Sequence, residues 1–304
     1  MHQVMLSMES LSAPDICANC GKGEEEIDNL KSCAACKLLK YCSRDCQAAH
    51  RPQHKKACKK RAIEIYDEKL FKEVEPDECP LCMLPILSAD QTTVHSCCGK
   101  RICDGCIFAM VKSGGKDLCP FCRKPPPDTD EEEIERTKKL IDKGNAEACF
   151  LLAAYYTTGS RGLPRDNRKA NELFLKAGKF GSAGAYYNLG NYYRDGSGVE
   201  VDKKKAKHYF ELAAMSGYVP ARHNLACLEV HIGNERRALK HWIIAARAGD
   251  EKSLNAVKTG FMKGLVTKEQ YASALRACHE RQKELKNEER DMAALVRGLR
   301  NDQA

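Results

Sequence analysis

Residues 181–217 read GSAGAYYNLGNYYRDGSGVEVDKKKAKHYFELAAMSG, and this segment sets the pattern for the C-terminal half of the chain. Related segments begin at Gly144, Gly217 and Gly249, so the successive spacings are 37, 36 and 32 residues. A period of this length is typical of stacked pairs of helices. In each second helix an alanine, an aromatic residue and another alanine recur at i, i+4 and i+7, on one face. The sequence therefore predicts an all-α helical-repeat solenoid.

The first 122 residues are rich in cysteine and hold 15 of the 18 cysteines in the chain. Most of these cysteines stand two or three residues apart, which is the spacing of zinc ligands. No secretory signal is evident at the N-terminus, so the pairs indicate zinc rather than disulfides. With one histidine they supply enough ligands for four tetrahedral zinc ions. The sixteen candidate metal ligands are Cys17, Cys20, Cys33, Cys36, Cys42, Cys46, His54, Cys58, Cys79, Cys82, Cys97, Cys98, Cys103, Cys106, Cys119 and Cys122.

The fold class that we predict is modular, with two small zinc-stabilised fingers followed by the solenoid. The three remaining cysteines lie alone in helical sequence and are expected to be small buried apolar residues. These are Cys149, Cys227 and Cys278.

The first finger resembles the MYND zinc finger in its ligand spacing and in Tyr41, Gln47 and Lys55. The resemblance implies two interleaved zinc sites. Site one would be Cys17, Cys20, Cys42 and Cys46, and site two would be Cys33, Cys36, His54 and Cys58. The chain has Arg51 where the family usually has Trp, an aromatic residue that borders the peptide-binding surface.

The second finger resembles a RING finger of the eight-cysteine subtype, as in the ubiquitin ligase of the CCR-NOT complex. The resemblance rests on the Cys-Pro-Leu-Cys opening at Cys79 and the Cys-Pro-Phe-Cys-Arg closing at Cys119. It implies a third site of Cys79, Cys82, Cys103 and Cys106, and a fourth of Cys97, Cys98, Cys119 and Cys122. Because adjacent cysteines on one metal are geometrically tight, His95 in place of Cys97 is an open alternative. The contacts to a ubiquitin-conjugating enzyme would be Leu81, Ile107, Pro120 and Arg123, and the alternative for these residues is packing around zinc and surface exposure.

The helical repeats resemble Sel-like repeats, which are related to tetratricopeptide repeats. The matching residues include Ala185-x-x-x-Leu189-Gly190-x-x-Tyr193 and Gly198-Val199. Such solenoids offer a concave surface to other proteins. Asn188 and Asn224 recur at one repeat position, away from the core side, and are candidates for this groove.

Composition changes along the chain predict the domain boundaries. A proline run at 125–127 and six acidic residues within 128–135 separate the cysteine-rich part from the helical part. We expect a disordered N-terminus (1–15), a MYND-type finger (16–60), a connecting helix (61–75), a RING-like finger (76–125), an acidic linker with a first helix (126–143), Sel-like repeats (144–262) and capping helices (263–304).

The bulk properties limit the classes of function. Mean hydropathy is −0.53 and no run approaches the ~20 apolar residues of a membrane span, so we expect an intracellular protein, cytoplasmic or nuclear, without a membrane partner. The net charge is +8, and residues 51–61 carry six basic residues. These are interpreted as a helix face or an import signal, and nucleic acid is not an expected partner because stacking aromatics are absent there.

The combination of modules predicts a zinc-binding protein–protein interaction scaffold, with other proteins bound by the first finger and the solenoid groove. The alternatives are a RING-type ubiquitin ligase that uses the solenoid as substrate receptor, and a nuclear transcriptional co-regulator recruited through the first finger. No constellation of serine, cysteine and carboxylate residues indicates a hydrolase. If the chain is an enzyme, it is an E3 ubiquitin-protein transferase.

Overall fold

The computed structural model of the chain describes residues 16–23, 30–114 and 118–301. The predicted disordered segment 1–15 lies outside the described residues. Two compact units are present, Met1–Lys72 and Glu73–Ala304. Among the described helices, none combines the length and the apolar character that a membrane-spanning helix needs.

The first unit is a small cysteine-rich module with one long helix. Strands β1 (Lys31–Ser32) and β2 (Lys40–Tyr41) pair in antiparallel fashion, and helix α1 spans Arg44–Leu70. Among the described residues, its core consists of Cys17, Cys33, Cys36 and Tyr41, with one alanine, three leucines and three further cysteines partly buried against it. So small an apolar core needs another source of stability, and a bound metal can supply it.

Helix α1 continues through the boundary expected near residue 61. Ser43 caps its N-terminus by accepting a hydrogen bond from the backbone N–H of Cys46, and the helix ends at Leu70. Arg61 forms ion pairs with Glu64 and Glu68 within the same helix. No glycine or proline follows Pro52 in this stretch, so nothing interrupts the helix. The ligand-bearing helix therefore continues into the segment 61–75, which the sequence predicts as a connecting helix, and ends there at Leu70.

The second unit begins with another cysteine-rich module, which is called the second module here (residues 76–125). Strands β3 (Thr92–Val94) and β4 (Arg101–Cys103) form an antiparallel hairpin, with Thr93 opposite Ile102. A 3₁₀ turn (Ala89–Gln91) precedes the hairpin, and helix α2 (Asp104–Lys112) follows it. The small core is formed by Cys79, Ile102 and Cys103.

Ten further helices complete the second unit. They are α3 (Asp130–Asp142), α4 (Ala146–Thr158), α5 (Asn167–Lys179), α6 (Ala183–Asp195), α7 (Lys203–Met215), α8 (Val219–His231), α9 (Glu235–Arg247), α10 (Glu251–Met262), α11 (Lys268–Leu285) and α12 (Glu288–Asn301). Helices α4 to α9 pack in consecutive pairs, α4 with α5, α6 with α7 and α8 with α9, as the repeat predicts. The predicted fold class, a zinc-finger region followed by an all-α repeat solenoid, is confirmed.

The recurring positions of the repeat form the solenoid core. Phe174 and Phe210, the aromatic members of the first two motifs, are almost fully buried. Gly190 of α6 lies directly against Phe210 of α7, where an added Cβ would be 2.5 Å from the ring. The recurring spacing of small and aromatic residues in the repeat thus reflects close helix packing, in which a small residue faces an aromatic side chain.

Helix ends carry the side chains that satisfy their exposed backbone groups. Asp166 and Asp202 each accept hydrogen bonds from two backbone N–H groups at the start of α5 and α7. Gly159 and Gly196 end α4 and α6 in the left-handed conformation that glycine adopts without strain. These caps fix where each helix begins and ends, and therefore the register of the repeats.

The two terminal helices have different neighbours. Helix α11 packs against α9 and α10 at the end of the solenoid, whereas α12 packs against α2 of the second module. The sequence predicts that both helices cap the solenoid, and for α12 the structure differs. The reason is that α12 reaches a glycine-containing face of α2, where its arginines find carbonyl and carboxylate partners.

Candidate metal centres and a groove on the helical repeats

The first group of candidate ligands joins a turn to the start of α1. The backbone N–H of Gly21 donates to the carbonyl of Cys17, which closes a tight turn between the first two cysteines. Cys42 and Cys46 follow from β2 and the first turn of α1. The Sγ atoms of Cys20 and Cys42 lie 3.7 Å apart, and those of Cys42 and Cys46 lie 3.4 Å apart.

The second group uses the same helix about two and three turns after Cys46. His54 and Cys58 are four residues apart and therefore on one face of α1. The Sγ of Cys36 lies 3.2 Å from Nε2 of His54, and the Sγ atoms of Cys33 and Cys58 lie 3.7 Å apart. His54 is buried, with 8% of its surface exposed.

His50 is on the same helix but serves a different purpose. Its Nδ1 forms a hydrogen bond of 3.0 Å with the hydroxyl of Tyr41, and its ring stacks on that of His54. It therefore packs against the candidate ligand His54 and is not a member of the second ligand group.

The third and fourth groups lie in the second module. In the third, the Sγ atoms of Cys79 and Cys106 are 3.8 Å apart and those of Cys82 and Cys103 are 3.7 Å apart. Strand β4 ends at Cys103 and α2 carries Cys106, so the hairpin and the helix deliver one pair. The other pair comes from the loop that opens the module.

The fourth group contains two adjacent cysteines, Cys97 and Cys98. They sit in a tight turn in which the backbone N–H of Gly99 donates to the carbonyl of His95 at 2.7 Å. The Sγ atoms of Cys98 and Cys119 are 3.6 Å apart. Cys97 belongs to this group, whereas His95 does not. Burial lowers the pKa of His95, and its Nε2 has no hydrogen-bond partner among the described residues.

The geometry of all four groups fits zinc. In each group the ligand atoms lie within 4.8 Å of one another. A zinc ion bound at about 2.3 Å by tetrahedral thiolates requires sulfur atoms about 3.8 Å apart, close to the spacings here. Thiolate and imidazole ligands are those that zinc prefers, and all 18 cysteines are free thiols. The four groups support four zinc ions, which when bound cross-link the loops of each module.

The thiols in one group differ strongly in acidity. Burial raises the pKa of Cys17, but hydrogen bonds from backbone N–H groups, that of Cys20 first, outweigh burial and lower the pKa to about 6. The hydrogen bond with Cys46 and burial raise the pKa of Cys42 to about 12. One thiolate thus forms readily and its neighbour resists ionisation. Such a cluster holds several thiolates only when a cation offsets their charge.

Comparison with known families identifies two of these regions. The MYND finger family model matches residues 17–58, which contain the first two ligand groups. The Sel1 repeat model matches residues 146–179, 183–218 and 230–250, in the helical part. The chain combines a MYND finger with Sel1 repeats. The second module lies between them.

Three curated proteins show the extent of the sequence similarity. An uncharacterized protein of Neisseria meningitidis is 31% identical over 135 residues, which are 44% of this chain and 28% of that protein. Cytochrome c oxidase assembly factor 7 of Danio rerio is 35% identical over 92 residues, 28% of this chain and 40% of that protein. The ERAD-associated E3 ubiquitin-protein ligase component HRD3B of Arabidopsis thaliana is 32% identical over 113 residues, 37% of this chain and 18% of that protein. The chain therefore spans less than half the length of each of these relatives.

Solved structures that match parts of the chain include that of a Sel1 repeat protein. A Sel1 repeat protein from Oxalobacter formigenes has a TM-score of 0.45 and 22% identity, over 59% of this chain and 71% of that chain. The protective antigen c5321 of uropathogenic Escherichia coli, which displays an SLR fold, has a TM-score of 0.39 and 21% identity, over 64% of this chain and 44% of that chain.

A cavity of about 810 Å³ lies between the Sel1 repeats and the second module. Asn188 of α6 and Asn224 of α8, the groove candidates from the sequence, both line it, and residues 87–91 of the second module form the opposite wall. The hydroxyl of Tyr218 accepts a hydrogen bond of 3.1 Å from the backbone N–H of Ala89, which fastens that wall to the repeats. The sequence predicts the two asparagines as groove residues, but it gives no indication that residues 87–91 lie opposite them.

Ser253, His223 and Asp250 meet at the edge of this cavity, but their arrangement is not that of a nucleophilic triad. Ser253 Oγ and an Asp250 carboxylate oxygen both approach the same ring nitrogen of His223, at 2.9 Å and 3.5 Å. A triad places serine and carboxylate on opposite nitrogens, and Ser253 is fully buried. The cluster therefore joins α8 to α10.

The four candidate contacts for a conjugating enzyme differ in exposure. Pro120 and Arg123 are exposed, and Leu81 is 40% exposed. Ile107 is partly buried and packs against the core of the second module.

Several contacts that position the second module were not predicted from the sequence. Arg101 of β4 forms a close ion pair with Glu147 of α4, and its guanidinium lies 4.7 Å from the ring centroid of Phe150. Arg290 and Arg297 of α12 approach the module from the far end of the chain. The only signal in the sequence was the unusual density of charge in the last helix.

Proposed function

We propose that this protein is a zinc-dependent interaction scaffold that holds an extended segment of another protein in the cavity between the Sel1 repeats and the second module. The observation that carries the proposal is the cavity itself, with its asparagines at equivalent positions of consecutive repeats. An asparagine amide offers both a donor and an acceptor. An extended peptide presents both kinds of group along its backbone.

The sixteen ligands enter this proposal as structural elements. The third ligand group joins the opening loop of the second module, through Cys79 and Cys82, to the hairpin and α2, through Cys103 and Cys106. The opening loop continues directly into residues 87–91. Zinc in the third group would therefore shape the cavity wall. Full tetrahedral sets leave no open position for substrate, which is the property of structural rather than catalytic zinc sites.

The test is selection of peptides from a random displayed library on the full zinc-loaded chain. Peptides that bind in the cavity should lose at least about tenfold in affinity to an Asn188→Ala, Asn224→Ala double variant, because each lost hydrogen bond is worth about 1 kcal/mol. The matched control is Lys204→Ala, an exposed change at the start of α7. Selected peptides that bind both variants equally well would refute the cavity as the binding site.

A second candidate function, ubiquitin transfer, is favoured by the exposure of Leu81, Pro120 and Arg123 on a module with two complete ligand groups. These residues correspond to the conjugating-enzyme contacts of a RING finger. The test is discharge of ubiquitin from a panel of charged conjugating enzymes by the zinc-loaded chain. Arg123→Ala should abolish the acceleration, while Lys124→Ala, its exposed neighbour, should retain it. No acceleration with four zinc ions bound would rule the ligase out for that panel.

A further inference from the structure

Helix α12 places a guanidinium group on the opening loop of the second module. Arg290 donates from Nη1 to the carbonyl of Pro85 at 2.9 Å and from Nη2 to the carbonyl of Leu84 at 3.2 Å. The same Nη2 lies 3.4 Å from the Sγ of Cys82, a member of the third ligand group. One side chain therefore holds the loop backbone and a candidate zinc ligand together.

The approach of α12 depends on a glycine in α2. Gly105 is buried, and a Cβ added to it would lie 2.5 Å from Cγ and 2.9 Å from the backbone nitrogen of Arg290. Any side chain at this position would push α12 away from the ligand group. Gly105 stands between Cys103 and Cys106, so the close approach occurs within the zinc-binding segment itself.

A second arginine fastens the same helix to the module without contacting a ligand. Arg297 forms a close ion pair with Asp104 and donates to the backbone carbonyl of Asp90. Helix α12 is thus anchored at two points that lie two turns apart. Only the anchor at Arg290 reaches a thiol.

We infer that Arg290 is an outer-shell donor to the third zinc group, so that the C-terminal helix helps to retain zinc bound about 180 residues upstream. A zinc ion with four thiolates carries a net charge of about −2. A guanidinium beside one thiolate offsets part of that charge, and its hydrogen bond orients the ligand. Arg290 is therefore a positioning residue of this zinc site.

The experiment measures zinc release from the full, zinc-loaded chain to a chromophoric chelator, with alkylation and mass spectrometry to show which cysteines become accessible. Arg290→Gln keeps a hydrogen-bond donor but removes the charge. It should release one of the four zinc ions about 10–100 times faster, the usual effect of losing an outer-shell partner. Cys82 should be among the first cysteines alkylated. Arg290→Lys keeps the charge but loses the forked geometry of the guanidinium, so it should release this zinc more slowly than Arg290→Gln and faster than the unchanged chain.

Two outcomes would overturn the inference. The first is that Arg290→Gln retains zinc as well as the unchanged chain, which would show that the guanidinium charge has no part in retention. The second is that Arg297→Ala releases the same zinc as fast as Arg290→Gln does, because that variant weakens the docking of α12 without touching a thiol. The fluorescence of Trp242, the only tryptophan in the chain, checks that each variant keeps its folded solenoid.

Discussion

Loss of a zinc ligand should have different consequences in the two compact units. Cys36 belongs to the unit that ends at Lys72, whereas Cys82 belongs to the unit that contains the Sel1 repeats. Cys36→Ala should unfold the MYND finger and leave the stability of the solenoid unchanged. Cys82→Ala should unfold the second module, because a small zinc module has little stability without its metal, and should also destabilise the solenoid.

The size of the second effect follows from the contacts that would be lost. The hydrogen bond between Ala89 and Tyr218 contributes about 1 kcal/mol, and the charged pair of Arg101 and Glu147 contributes about 2 kcal/mol. The free energy of unfolding of the solenoid should therefore fall by about 3 kcal/mol. With a urea m-value of about 2–3 kcal/mol/M for a unit of this size, the midpoint should fall by about 1 M.

Trp242 provides the assay. It is the only tryptophan, it lies in α9 of the Sel1 repeats, and its ring is 6.4 Å from that of His223. Urea unfolding followed by its fluorescence reports on the solenoid and not on the zinc modules. The reasoning is refuted if Cys82→Ala and Cys36→Ala have the same midpoint, whether that midpoint is unchanged or lowered in both.

Further predictions concern the solenoid. Gly190→Ala should lower the free energy of unfolding by about 1–3 kcal/mol, because its Cβ would overlap an aromatic ring of α7. The control is Gly184→Ala in the same helix, which meets only an ordinary contact at 3.4 Å and should be neutral or stabilising by up to about 1 kcal/mol. Urea midpoints that rank the two variants in the opposite order would contradict this prediction. The hydrogen bond with Asp250 raises the pKa of His223 to about 9 from an unfolded value of about 6.5. The pair therefore contributes on the order of 3 kcal/mol to the free energy of unfolding below pH 6.5, and this contribution is lost as the pH rises through 9. Urea unfolding from pH 6 to pH 10 should show this loss, and His223→Gln should remove it; equal pH dependence in both chains would count against the pair. Thr267→Ala deletes the capping box at the start of α11 and should cost about 1 kcal/mol, and an unchanged midpoint would show that the cap is redundant.

The repeat could be predicted from the sequence because its signals are local and recur. The glycines that open each unit and the alanines and aromatics of each second helix lie within one period of each other. The capping box at Thr267 is likewise contained in four residues. Features of this kind need no knowledge of the rest of the chain, and the structure contains them where the sequence places them.

The ligand groups depended on a different kind of information. Spacing alone identified sixteen candidate ligands, but only the resemblance to MYND and RING fingers implied how they divide into fours. The structure groups the same sixteen side chains in that way. For the adjacent Cys97 and Cys98, the sequence leaves His95 as an alternative ligand to Cys97. The turn that places both cysteines at one site is formed by backbone hydrogen bonds, and these leave no pattern in the residue types.

Contacts between distant segments could not be predicted. Tyr218 and Ala89 are 129 residues apart, and the contact between them is one hydrogen bond. Arg290 was one of several charged residues in a helix that looked like a solvated cap. Nothing in its sequence neighbourhood indicates a partner, because the partners are two backbone carbonyls and one thiol that become adjacent only in the folded chain.

The position of Arg290 also has a consequence for synthesis of the chain. The ribosome adds about 5–20 residues per second, and Arg290 follows Cys106 by about 180 residues, so the third ligand group is complete for about 10–40 s before its guanidinium partner is made. During that interval the second module must hold its metal without α12. A chain truncated before Arg290 would have all sixteen candidate ligands in place and a weakened third site, so the presence of every ligand would not by itself ensure that the metal is retained.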